Sequence, residues 1–271
     1  MIQSCGQCPS CLEGFRQYCA SACGFAFCDL DQGAFADYHI IDADFAYHIP
    51  DSVDSADAGV FMCAGASTYE ALDAAGTRSS DRVGVVGIGG LGHMAILFAK
   101  AKGCAVTAIT GSDRESKAQV AFELGADEVR MTKEPTVALK RRPDGSIQSV
   151  SGAQLSGSST PINVLLVCSN EVPSLEILLP LLARRAVIVL MSIQSEPLVI
   201  PYMPFILPGH KIISSTEASR RNHIDMINFA AAHQIKPWIE KFPMNEHGVK
   251  QAFAKLEEGS MRFRGVLERQ D

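Results

Sequence analysis

Cys5, Cys8, Cys11 and Cys19 stand at spacings of three, three and eight residues. Thiolates bind zinc tetrahedrally, and two short CxxC steps closed by a fourth cysteine from a longer loop meet that geometry. Four thiolates fill the shell and leave no open position for water or substrate, so a zinc held here braces a lobe and does no chemistry itself. Two rival readings stand beside this one. Free thiols at this density would be a concentration of oxidisable sulfur near the surface. A zinc ribbon for nucleic acid would come with a basic face, which the segment lacks. Cys23 and Cys28 follow closely and read as packing residues of the next turns.

A second stretch, "DRVGVVGIGGLGHMAILFAKAKGCAVTAITGSD", carries different chemistry. Val83, Val85 and Val86 make a short buried-strand pattern, and Gly87, Gly89 and Gly92 then form GxGxxG, with Gly90 and Leu91 inside the turn. Leu91, Ala95 and Phe98 or Ala99 fall at helical spacing up to Gly103, and "AVTAIT" reads as a second strand. GxGxxG alone is a weak signal; strand, glycine turn, amphipathic helix and strand together point to a dinucleotide. The first two glycines let the backbone approach a pyrophosphate at a helix N-terminus, and the third lets helix pack on strand.

The end of the second strand decides which dinucleotide. An acidic side chain there would accept hydrogen bonds from the adenosine ribose of NAD. Residues 110 to 112 hold no carboxylate, leaving Thr110, Ser112 and Arg114 to bind a 2′-phosphate, which favours NADP. Asp113 keeps the NAD reading open, since it either reaches the ribose or caps the helix that starts near Arg114.

The elements that must position these groups alternate along the chain. "EVRM", "INVLLVC" (162–168), "AVIVLM" (186–191) and "KIISS" (211–215) read as further strands, with helices expected over 114–124 and 172–182. This pattern predicts an α/β fold, a doubly wound parallel sheet over residues 56–216. Cys168, Ser169 and Ser192 end strands of that sheet, at the carboxyl edge where a nicotinamide should lie. Residues 141–161, rich in Ser, Gly and Pro, read as a surface loop. Residues 1–55 hold the cysteine lobe and short β-like runs ending at a Pro-Asp turn. Residues 217–271 hold two helices and a closing strand, so two segments distant in sequence are expected to share a second domain.

Composition narrows the partners. With 271 residues and 47% hydrophobic content the chain supports one large domain or two smaller ones. A formal net charge of −6 without a long basic run argues against nucleic acid or an acidic membrane as the main partner. No apolar run reaches transmembrane length, and the first residues lack a secretory signal, so a cytoplasmic setting with reduced thiols is expected.

Taken in order, the four-cysteine lobe, "GAFADY", "MCAGASTYEAL", "VGIGGLGH", "GAD", "KPWIEKFPM" and "FRGVL" resemble the zinc-containing medium-chain alcohol dehydrogenases, and within them the cinnamyl-alcohol-dehydrogenase-like aldehyde reductases. The likeness spans nearly the whole chain. It implies a Rossmann domain with a partial GroES-like, β-rich catalytic domain. It also implies hydride transfer between a nicotinamide and a primary alcohol or aldehyde, with a catalytic zinc polarising the oxygen. By the same resemblance Cys63 matches the third ligand of that zinc, Arg264 matches a position that approaches the cofactor phosphates, and a homodimer through the edge strand near 211–215 is expected.

In the family the first catalytic cysteine, the Gly-His-Glu segment and the proton relay all precede the four-cysteine lobe. The N-terminal catalytic segment is therefore expected to be missing from this chain. Replacement ligands are not expected from His39, His48 or His93, since each has a plain reading: His39 and His48 lie in the β-like runs, and His93 follows the glycine turn and faces cofactor or solvent. Two alternatives remain: a non-catalytic NADP(H)-binding module or partner subunit, and a zinc-independent quinone or enoyl-type reductase, against which the cysteine lobe argues.

Overall fold

The computed structural model describes residues 3–24, 28, 33–36, 38–111, 114–142, 144–151 and 161–269, the side chains at 114, 115, 135 and 136 excepted. The chain divides into two compact units, Ala71–Ser215, and Met1–Glu70 with Thr216–Asp271.

In the Ala71–Ser215 unit the strands are β1 (Arg82–Val86), β2 (Ala105–Thr110), β3 (Glu128–Met131), β4 (Glu134–Arg141), β5 (Ile147–Ser151), β6 (Ile162–Val167), β7 (Leu182–Leu190) and β8 (Lys211–Ser214). They form one sheet in the order β5-β4-β3-β2-β1-β6-β7-β8. Pairing is parallel from β3 through β8 in that order, and α4 (Gly92–Ala101) and α5 (Arg114–Glu123) make the crossovers from β1 to β2 and from β2 to β3. Strands covered on both faces need apolar side chains at consecutive positions, and Val85, Val86, Leu165, Leu166 and Val167 are accordingly buried. Leu175 and Leu178 of the short α6 (Leu175–Leu178) pack on Val86, Ile109, Leu165 and Ile188 and close one side of the core, and a second short helix, α7 (Tyr202–Ile206), precedes β8.

Three local expectations need correction. The surface loop assigned to 141–161 begins as a β-hairpin: β4 and β5 pair antiparallel with Lys140 opposite Gln148, and β4 extends β3 antiparallel. Asp144 Oδ1 accepts from Ser146 N–H at 2.9 Å and closes the turn, and residues 152–160 lie outside the described residues. The helix expected over 172–182 is reduced to α6 and a 3-10 turn, Leu179–Leu181, because Pro180 donates no amide and crowds the residue before it. Finally, the described residues 38–53 contain no strand, only a 3-10 turn at Ala43–Phe45. Extended residues become a strand only when another strand pairs with them, and no strand pairs with these among the described residues.

The other unit holds α1 (Pro9–Leu12), α2 (Ser55–Val60), a π-helical turn at Phe61–Gly65 leading into α3 (Ala66–Ala74), α8 (Arg220–Ala232), and the parallel pair β9 (Ile239–Pro243) and β10 (Arg264–Glu268) joined through α9 (Glu246–Glu257). Glu70 stitches its two halves. This buried side chain accepts Ser219 N–H at 2.9 Å and Asn222 Nδ2 at 2.8 Å, placing a carboxyl group at the N-terminus of α8 where orphan amides need acceptors. Farther along, Tyr47 stacks on His223 with ring centres 4.6 Å apart, and His223 Nδ1 lies 3.0 Å from the Ser219 carbonyl oxygen. The Arg220 guanidinium lies 5.7 Å above Tyr47 and also bonds to the Asp44 carbonyl oxygen, while Arg16 lies 5.3 Å above Phe45. Residues 44–47 are thereby pinned to α8 on one side and to the cysteine lobe on the other.

Two outcomes follow for stability. Replacing Glu70 by Ala leaves two buried donors without their acceptor and is expected to cost about 2–4 kcal/mol, read as a lowered midpoint in thermal denaturation. His223 lies below its ordinary value of 6.5 because burial disfavours its charged form. The unfolded chain then takes up this proton before the folded one, so stability is fully present above 6.5 and is lost as pH falls towards the depressed folded value. The thermal midpoint is expected to drop between about pH 7.5 and 5.5, and to drop less in His223→Asn, which keeps a donor for Ser219 but does not titrate.

Candidate cofactor turn and metal centre

At the end of β1 the chain turns on Gly87, whose φ of +85° lies in the left-handed region and whose N–H donates to the Ile109 carbonyl at 2.8 Å. A Cβ on Gly87 would lie 2.8 Å from Ser169 Cα, and one on Gly92 would lie 1.8 Å from the Gly87 carbonyl oxygen. Backbone from β1, the end of β6 and the start of α4 therefore meet where no side chain fits. Gly89 is different: a Cβ there meets nothing within 4 Å, so the turn is open above it. Leu91, the residue before α4, provides no side-chain cap, and α4 has no acidic residue in its first turn. No side chain therefore competes for the amides that lead into α4, although the His93 N–H is already taken by the Gly89 carbonyl at 3.0 Å; an uncapped helix N-terminus of this kind suits a diphosphate. Met94, Ala95, Phe98 and Ala99 bury the inward face of the helix and hold it there.

The other residues expected at the cofactor fare unequally. Thr110 ends β2 and is buried, with its carbonyl accepting Thr132 N–H at 3.0 Å. Ser112 and Asp113 lie outside the described residues, as does the side chain of Arg114, whose backbone opens α5. Cys168 is buried against Met191, Sγ to Sδ 3.8 Å, and burial pushes its thiol up to about 12, leaving it protonated and inert. Ser192 Oγ donates to the Ser169 carbonyl at 2.6 Å, tying the ends of β6 and β7 together. His93, expected to face cofactor or solvent, is instead completely buried, at 0% exposure, because it lies on the core side of the first helical turn.

In the other unit the four cysteines converge. Their sulfurs all lie within 4.8 Å of one another, with Cys5 to Cys11 at 3.9 Å and Cys19 to Cys5 at 3.5 Å. A tetrahedron with zinc–sulfur bonds of about 2.3 Å has edges of about 3.8 Å, so the set fits the ion. Helix α1 begins just after Cys8 and carries Cys11, turning both towards one point. The Cys5 thiol is pushed down to about 6 by the amides of Gln7 and Cys8 and by the Cys19 side chain, whereas Cys8 is pushed up to about 11, the Cys11 amide being outweighed by burial and by the neighbouring thiols, so it is the convergence of the sulfurs that carries the metal reading.

Cys63 is exposed on the π-helical turn and lines a cleft of about 330 Å³ with Phe35, Val60, Met244 and Arg264. The structure thus brings Cys63 and Arg264 to one wall, and the Arg264 Nε is buried without a hydrogen-bond partner among the described residues. No second group of three metal-ligating side chains forms among the described residues, so neither Cys63 nor the exposed His39 and His48 belongs to one.

The family model for zinc-binding dehydrogenases matches residues 90–232. A probable mannitol dehydrogenase of Mesembryanthemum crystallinum is 32% identical over 281 residues, covering 99% of this chain and 70% of the relative. Cinnamyl alcohol dehydrogenase 8 of Arabidopsis thaliana is 29% identical over 274 residues, covering 99% and 71%. Among solved structures, a cinnamyl alcohol dehydrogenase (CAD) from Helicobacter pylori complexed with NADP(H) superposes with a TM-score of 0.76 at 22% identity, over 98% of this chain and 72% of that one. Those matches span both units as well as the mixed sheet and the cysteine lobe, and on them the chain belongs to the zinc-containing medium-chain alcohol dehydrogenases, an oxidoreductase family, in its cinnamyl-alcohol-dehydrogenase-like branch.

Proposed function

We propose that this chain is the cofactor-binding and structural-zinc portion of an NADP(H)-dependent reductase that interconverts primary alcohols and aldehydes, with the family's N-terminal catalytic segment outside these residues. The observation that carries this reading is the open, uncapped N-terminus of α4 over Gly89, a seat for a diphosphate. NADP is favoured over NAD because Thr110, Gly111 and Ser112 offer no carboxylate to a ribose while Arg114 follows as a cation. A zinc on Cys63 would polarise a carbonyl oxygen towards hydride, with its further ligands supplied from elsewhere. Cys5, Cys8, Cys11 and Cys19 hold the bracing zinc, which speaks against the quinone or enoyl-type alternative. None of the nine cysteines is joined in a disulfide, in keeping with a cytoplasmic setting.

A second reading, an NADP(H)-binding module without turnover, is favoured by one observation: Cys63 gathers no companion ligands among the described residues. Elemental analysis together with calorimetric titration separates the two. The expected result is about one zinc per chain and NADPH bound about tenfold or more tighter than NADH, a preference lost in Arg114→Ala. A second zinc with aldehyde reduction would overturn the non-catalytic reading; equal affinity for the two cofactors would overturn the NADP assignment.

The proposed homodimer has its own support. β8 is the last strand of the sheet, and the segment leading into it exposes Tyr202, Met203, Ile206 and Leu207, an apolar face water does not favour. The chain is expected to sediment as a dimer and the double variant Met203→Glu, Ile206→Glu as a monomer; a monomeric parent chain would end the dimer reading.

A further inference from the structure

His93 is the second residue of α4 and is wholly enclosed. It reaches one acceptor twice. Its backbone N–H donates to the Gly89 carbonyl at 3.0 Å, and its ring Nδ1 lies 3.1 Å from the same oxygen. The backbone bond is what any helix of this kind would make at its first turn. The ring bond is additional, and since a carbonyl oxygen can only accept, Nδ1 carries a proton.

That second donor has a directional effect. In a trans peptide the carbonyl of one residue and the N–H of the next point in opposite directions. Holding the Gly89 oxygen against the helix turns the Gly90 N–H the other way, out of the helix N-terminus, beside a Gly89 that has open space where a Cβ would stand. Neighbouring glycines at 89 and 90 leave this peptide plane easy to rotate, because neither residue has a Cβ to oppose it. A rotated plane would present an oxygen, not an amide, to a negatively charged ligand. One donor at the helix end and one on a buried ring resist that rotation together.

We propose that His93 is a positioning residue of the dinucleotide site: its ring fixes the Gly89–Gly90 peptide so that the Gly90 amide faces the cofactor diphosphate. The inference rests on the dinucleotide reading above. It assigns His93 no contact with the cofactor and no proton transfer.

The test compares three forms of the full chain by calorimetric titration with NADPH and, by displacement, with adenosine 2′-monophosphate, which has no diphosphate. His93→Asn keeps an N–H at the same number of bonds from the backbone as Nδ1, and His93→Leu has nearly the same shape without it. NADPH affinity is expected to fall about tenfold in His93→Leu and to stay within about threefold in His93→Asn, the scale of one hydrogen bond. Adenosine 2′-monophosphate should bind all three alike. Equal NADPH affinity in His93→Leu and the parent chain overturns the inference, as does an equal loss for both ligands, which marks a general loosening of the unit. Should His93→Leu fail to fold, His93→Met, which likewise offers no N–H donor, takes its place with the same expectation. Failure of the parent chain to bind either NADPH or NADH would overturn the dinucleotide reading and this inference with it, whereas binding without discrimination among the variants overturns the inference alone.

Discussion

The carbonyl oxygen of Gly87 stands 1.8 Å from where a side chain at residue 92 would begin. This near-contact sets how closely α4 can approach β1, and much else depends on it. With the helix seated there, Met94, Phe98 and Ala99 reach the core, while its N-terminus, uncapped by any side chain, follows directly on the open Gly89. Ser169 closes from the side of β6, and Ile109 accepts the Gly87 amide from β2. Three neighbouring strands thus end at one turn. A larger residue at 92 would push the helix away from the sheet and remove both the packing and the anion seat in one step.

The second unit is organised by polar stitches more than by a continuous sheet. Its pair of strands, β9 and β10, is small. The larger share of its order comes from Glu70 at the start of α8, from the Tyr47 and His223 stack, and from the cations Arg16 and Arg220 that clasp residues 44–47. A zinc on the four cysteines complements this design, since a small lobe without much apolar core gains its rigidity from metal bonds.

Much of this was legible in the sequence where the signal was local. The strand, glycine turn and helix from Arg82 to Ala101 announce themselves through periodicity and through glycines at fixed offsets. The cysteine lobe announces itself through spacing alone. What escaped depended on neighbours distant in the chain. β5 buries only Val150 fully, so its alternation is faint, and the Pro-Asp-Gly-Ser turn before it has the same composition as a plain loop. Cys168 and Ser192 do stand at the strand ends, but Met191 covers the first and the Ser169 carbonyl engages the second. The burial of His93 and the reach of Glu70 to Ser219 likewise depend on packing that no short window contains.

Glu70 has a bearing on how the molecule comes into being. Its two hydrogen-bond donors lie 149 and 152 residues downstream. At synthesis rates of about 5–20 residues per second, roughly seven to thirty seconds separate the carboxyl from its partners. Every strand of the Ala71–Ser215 sheet precedes α8 in the chain, so the two halves of the other unit can join only after those strands have been synthesised. During that interval the cysteine lobe has neither Arg220 nor His223 beside the segment that anchors it. Nascent chains of this layout carry a cluster of metal-hungry thiolates on an unfinished domain, and early zinc capture is the step that would shield them while the ribosome completes the other half.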